Sequence, residues 1–116
     1  VAGARGTEWD AELERLRERY RGRLRRDIEA LDALLREART ARSALEEAHR
    51  VAHRLKGTSG SYGLCQSSEA LEQIESQLAD LLGGPPDPGA GWNEIEQSLL
   101  RARSGVDQRV ALHERS

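Results

Sequence analysis

HRVAHRLKGTSGSYG, residues His49 to Gly63, is the stretch on which the reading of this chain turns. Stepped as a helix at about 100° per residue, and taken with the residues just ahead of it, it gathers Leu45, Ala48, Ala52, Leu55 and Ser59 on one side. That side is a core face. His53 falls nearly opposite it and should face water, with His49, Lys56, Gly57 and Gly60 on the same face and Arg50 and Arg54 on either flank. Glycine inside a helix costs about 1 kcal/mol relative to alanine. Two of them, one and two turns beyond His53, favour close approach by a partner over helix stability.

The flanks supply the fold. From Trp9 the apolar positions run Trp9, Leu13, Leu16, Tyr20, Leu24, Ile28, Leu31, Leu35 and Ala38, always three or four residues apart. This is an amphipathic helix, either one long rod or two joined near Gly22. The charges interleaved early in it fit a solvated outer face better than a strict two-position coiled-coil seam. ARTARS, Ala38 to Ser43, is a short polar connection, and Ser43 with Glu46 has the spacing of a capping box at the start of the next helix. Gly63 is placed to end that helix. Leu64, Leu71, Ile74, Leu78 and Leu81 repeat at helical spacing until GGPPDPGAG, Gly83 to Gly91, breaks the chain. Trp92, Ile95, Leu99, Val106 and Val110 mark a last helix that Gly105 should weaken. No strand pattern is present. Short connections imply antiparallel neighbours, so the expected fold is all-α: an up-and-down antiparallel four-helix bundle with an N-terminal helical extension. Residues 1–8, VAGARGTE, read as a linker or a remnant outside the domain, and 9–116 as the bundle.

Composition narrows the function. The chain has 116 residues, one domain's length. It is 33% charged with a formal net charge of -2, and that near balance argues against a general nucleic-acid binder. Two tryptophans and two tyrosines without a phenylalanine offer bases few stacking platforms. A lone cysteine, Cys65, forms no internal disulfide, fits a reducing cytoplasm, and is expected to be a small buried hydrophobe. No apolar run approaches a membrane span and no signal peptide is visible, so the expected location is cytoplasmic, without membrane contact.

Lys56 stands at the i,i+3 spacing from His53 and brings a compact positive charge. A histidine beside a lysine on an open helix face suits a group that becomes phosphorylated. The plain alternative is a solvated face whose glycines mark a fraying end. Residues Ala52 to Gly63, AHRLKGTSGSYG, resemble the signature of histidine-containing phosphotransfer (HPt) domains: His-x-Leu-Lys-Gly with a further glycine six residues on, here His53, Leu55, Lys56, Gly57 and Gly63. LEQIE, Leu71 to Glu75, is similar to the family's second, leucine-rich turn, with Ile74 in place of leucine. Gly60 and Tyr62 also resemble the N-terminal phosphotransfer domain of chemotaxis histidine kinases. The resemblance implies that His53 accepts a phosphoryl group, that Lys56 balances its charge and that Gly57 keeps the ring accessible. Some members place a glutamine on the following helix near the histidine; Glu75 stands at that position here.

The resemblance further implies a phosphocarrier of a two-component phosphorelay, working with a sensor histidine kinase and a response-regulator receiver. Imidazole, with a reference pKa of about 6.5, is largely neutral and nucleophilic near pH 7. Phosphoryl transfer is mainly positioning and charge neutralisation. This sequence carries no acidic cluster to hold magnesium and no nucleotide-binding signature, so it is expected to have no cofactor of its own, the magnesium coming with the receiver. His49, Arg50, Arg54, Gly60 and Ser61 are the expected partner-binding positions, the arginines facing an acidic rim. Three rivals carry less: a metal site on His49 and His53, hydrolase chemistry through His53 with Ser59 or Ser61, and a structural or dimerising bundle. Within the carrier class, the alternative is a phosphotransfer domain cut from a multidomain hybrid or chemotaxis kinase.

Overall fold

The computed structural model describes residues 2–84 and 91–107, with side chains from Trp9 onward. Four helices follow one another: α1 Ala2–Ala38, α2 Arg42–Ser61, α3 Cys65–Leu82 and α4 Trp92–Val106. Each packs against its two neighbours around a ring, and no strand occurs among the described residues. This is the all-α four-helix bundle that the periodicity and short connections predict. Leu24, Ile28 and Leu31 from α1, Ala48, Ala52 and Leu55 from α2, Leu71, Ile74 and Leu78 from α3, and Ile95 and Leu99 from α4 form one core.

α1 is one continuous helix through Gly22. Its 37 residues make it about 55 Å long at 1.5 Å per residue, against 20 residues for α2 and 18 for α3. It therefore overhangs the bundle, which measures 63 × 25 × 18 Å overall. The helix runs back through residues 2–8, which the sequence reads as a linker. Of the apolar stripe, Tyr20 is the first buried member, while Trp9 and Leu16 are exposed, because α2 and α3 end before reaching them.

The connections differ from the sequence reading in detail. Ala41, in extended backbone, caps α2, and no side-chain capping bond is made there. The capping box of Ser43 and Glu46 does not form: the Leu45 amide already bonds the Ala41 carbonyl, so the helix starts before Ser43. Its first residue, Arg42, donates instead to the Leu82 carbonyl at 2.8 Å, tying the start of α2 to the end of α3. Gly63 does end α2. With φ +78° it lets the Gly63 amide bond the Gly60 carbonyl and the Leu64 amide bond the Ser59 carbonyl, the paired closure of a Schellman motif. This turn buries Leu64 and Ser67, and that phase turns Cys65 outward, so Cys65 is exposed rather than a core residue. Gly105 lies in the last turn of α4, one residue before the helix ends at Val106. A Cβ there would meet Ser67 Oγ at 2.5 Å and the Ser67 amide nitrogen at 2.6 Å, so the glycine is what allows α3 and α4 to close up. Ser67 Oγ donates to the Ala102 carbonyl at 2.8 Å across the same crossing. Val110 and most of the proline-rich break lie outside the described residues.

Candidate functional site

α2 is held by the burial of Leu45, Ala48, Ala52, Leu55 and Ser59, the face that the sequence assigns to the core. That burial fixes His53 on the opposite side, with its side chain 67% exposed. The ring is not free to spin. Glu75, reaching across from α3, places Oε2 2.5 Å from His53 Nδ1 and Oε1 2.8 Å from Lys56 Nζ. Ile74, its neighbour in sequence, is fully buried, so α3 has a fixed phase and presents Glu75 at the α2 boundary. The carboxylate is thus a bridge, and Lys56 meets His53 through it.

The electrostatics follow from this geometry. Burial pushes the Glu75 carboxyl up, but hydrogen bonds from Lys56 and His53, with their charges, outweigh it and hold the group below its ordinary range. The same hydrogen bond, donated by Lys56 to Glu75 and partly opposed by desolvation, raises Lys56. An ionised carboxylate can only accept hydrogen bonds. Nδ1 of His53 therefore carries a proton, and whenever the ring is neutral its lone pair sits on Nε2.

Around the ring the surface is bare. A Cβ on Gly57 would find nothing within 4 Å. Gly60, by contrast, stands close to α3: a Cβ there would meet Ser68 Oγ at 3.2 Å, and Ser68 Oγ donates to the Lys56 carbonyl at 3.0 Å. Arg54 is exposed and makes no ion pair among the described residues, whereas exposed Arg50 reaches Glu47 at 3.3 Å. His49 is half-buried and Ser61 is exposed. The hydroxyls proposed for hydrolase chemistry are occupied: Ser59 is fully buried and donates to the Leu55 carbonyl at 2.7 Å, and Ser61 donates to the Gly57 carbonyl at 3.1 Å. His49 and His53 gain no third donor; among the described residues no group of three or more His, Cys, Asp or Glu could hold a metal ion. No described helix is long and apolar enough to cross a membrane.

The four-helix bundle agrees with the family comparison, in which the model described as Hpt domain matches residues 9–105. The chain belongs to the Hpt domain family. No curated protein and no solved structure matched in the parallel comparisons. Hpt domains carry phosphoryl groups on histidine in two-component phosphorelays, between kinases and receivers, so the chain is a phosphocarrier module rather than a classical enzyme. The sequence left the role of Glu75 unassigned. The signal was nevertheless present in part, because Glu75 stands where some members of the resembled family place a glutamine near the histidine.

Proposed function

We propose that His53 is the phosphoryl acceptor, exchanging the group with the aspartate of a response-regulator receiver, and that it reacts through Nε2. The single observation that supports this best is the 2.5 Å contact between His53 Nδ1 and Glu75 Oε2. With Nδ1 protonated and held, the Nε2 lone pair attacks the phosphorus of the partner's aspartyl phosphate. The P–Nε2 bond forms as the bond from phosphorus to the aspartate oxygen breaks, and the electron pair leaves with the restored carboxylate. Positive charge then builds on the ring, and the Glu75 carboxylate lies against it. The return step is the same path reversed.

Lys56 keeps Glu75 ionised and holds further N–H donors for phosphoryl oxygens. Gly57 leaves room for the receiver over the ring, and His49, Arg50, Arg54, Gly60 and Ser61 border that approach. Magnesium, supplied with the receiver, would neutralise phosphoryl charge from the partner's side. A phosphotransfer domain within a longer hybrid or chemotaxis kinase would use the same residues. The test is phosphoryl transfer from a panel of phosphorylated receivers, with ATP-charged kinases as a second source. Acid-labile phosphate should appear on the wild-type chain and on His49→Gln but not on His53→Gln. Equal labelling of His53→Gln would sink the assignment.

A further inference from the structure

Among the described residues nothing covers the apolar stripe on the overhang of α1. Trp9 is 65% exposed and Leu16 45%, and at the nearby end of the bundle Tyr62 is 39% exposed while stacking on Tyr20 at 4.2 Å. Leu13, Leu16 and Arg17 of the overhang and Gly60–Gly63 of the α2–α3 turn enclose a notch of about 330 Å³. A helical segment with so exposed a tryptophan has little reason to hold its shape alone in water.

The charges beside the stripe indicate what covers it. Trp9, Leu13, Leu16 and Tyr20 are four, three and four residues apart, so one flank of the seam carries Asp10 and Arg17 and the other Glu12 and Arg19. In antiparallel helix pairs like flanks meet, and the sequence is self-complementary in that register. Asp10 faces Arg17 of the partner subunit and Glu12 faces Arg19 of the partner subunit, each pair occurring twice about a two-fold axis. The same register sets Leu13 against Leu16 of the partner subunit and brings Trp9 of the partner subunit level with Tyr20, at the notch.

We propose that a second copy of this chain covers the stripe, forming an antiparallel two-fold dimer of α1 overhangs in which each Trp9 fills the other copy's notch beside Tyr62. The two bundles then lie at opposite ends and both His53 faces stay open. The overhang is short, so the interface falls near or below the about 1,200 Å² of small stable complexes, and dissociation constants on the order of 10 µM are expected.

Sedimentation equilibrium of the full chain tests this. Wild type should dimerise, and Leu16→Glu should be monomeric while keeping its helical circular dichroism. Asp10→Arg alone and Arg17→Asp alone should each weaken dimerisation by about tenfold, and the double reversal should restore it. In a parallel pair Asp10 and Arg17 would not face each other, so the double reversal would not restore it. Wild type that is monomeric at about 500 µM overturns the proposal. So does a dimer unaffected by Leu16→Glu, or a double reversal no better than the singles. If Trp9 emission, read in a Trp92→Phe background, shifts only when a receiver is added, the stripe belongs to that partner and the proposal fails.

Discussion

Gly57 and Gly105 both sit inside helices, and helix propensity alone does not tell them apart. Over Gly57 there is open space, whereas a Cβ on Gly105 would run into Ser67, including its backbone. The first glycine lies one turn from the solvent-facing His53; the second is pressed into the α3–α4 crossing. Each forgoes the same helix propensity, about 1 kcal/mol against alanine, for opposite ends. One leaves the surface beside His53 open, and the other lets two helices approach.

The sharpest contrast should come from Gly105→Ala. Ser67 is fully buried and cannot step aside without moving α3, so overpacking should outweigh the gain in propensity. The expected loss is about 2 kcal/mol of stability by urea unfolding, with phosphoryl transfer per folded molecule unchanged. A neutral or stabilising result would mean that the crossing is looser than described.

Glu75→Gln acts on the other region. The amide keeps an acceptor for Nδ1 but loses the charge set against the ring, and transfer from a receiver should slow by about tenfold. The same variant carries a pH signature. The folded Glu75 carboxyl lies below its ordinary 4.5, so its contribution to stability is present above that value and disappears as pH falls through the folded one. Wild type should therefore lose stability more steeply than Glu75→Gln below about pH 4.5. Identical acid limbs would contradict the bridge to His53 and Lys56.

Gly57→Ala should do the reverse of Gly105→Ala. With nothing to collide with, it should stabilise the chain by up to about 1 kcal/mol while slowing transfer from a receiver. Unchanged transfer would remove Gly57 from the docking face. The smallest effect is expected at Tyr20, whose hydroxyl is buried without a hydrogen-bond partner among the described residues. Burial, helped by the charge of Asp27, pushes its phenol up to about 12. Because the neutral form is favoured in the fold, this group's contribution is complete below its ordinary 10 and is lost between there and about 12. Tyr20→Phe should thus be neutral or stabilising by up to about 1 kcal/mol, and should flatten the alkaline limb.

Much of this was legible before any coordinates. Helical spacing alone sorted α2 into a core face and a histidine face, because burial at three- and four-residue steps fixes a helix's rotation. It also picked out the long stripe of α1 and the turn at Gly63. It could not foresee that α1 outruns its neighbours, since spacing describes a stripe and not what lies on it; Trp9 and Leu16 carry the same pattern as Leu24 and Leu31. Ser43 had the spacing of a cap but not the place, because the chain enters α2 two residues earlier. Cys65 followed the general tendency of cysteine to be buried until the phase set by Leu64 turned it out. Glu75 was the main gap in the site: its part depends on a contact between two helices, for which a single sequence holds no register.

Whether Glu75 fixes the ring so that Nε2 takes the phosphoryl group is decided by nitrogen and phosphorus NMR of the chain labelled with ¹⁵N-histidine. The unphosphorylated protein should show His53 with its proton on Nδ1, and after transfer from a receiver the phosphorus should couple to Nε2. Coupling to Nδ1, or a His53 ring protonated on Nε2 while Glu75 is intact, would contradict it.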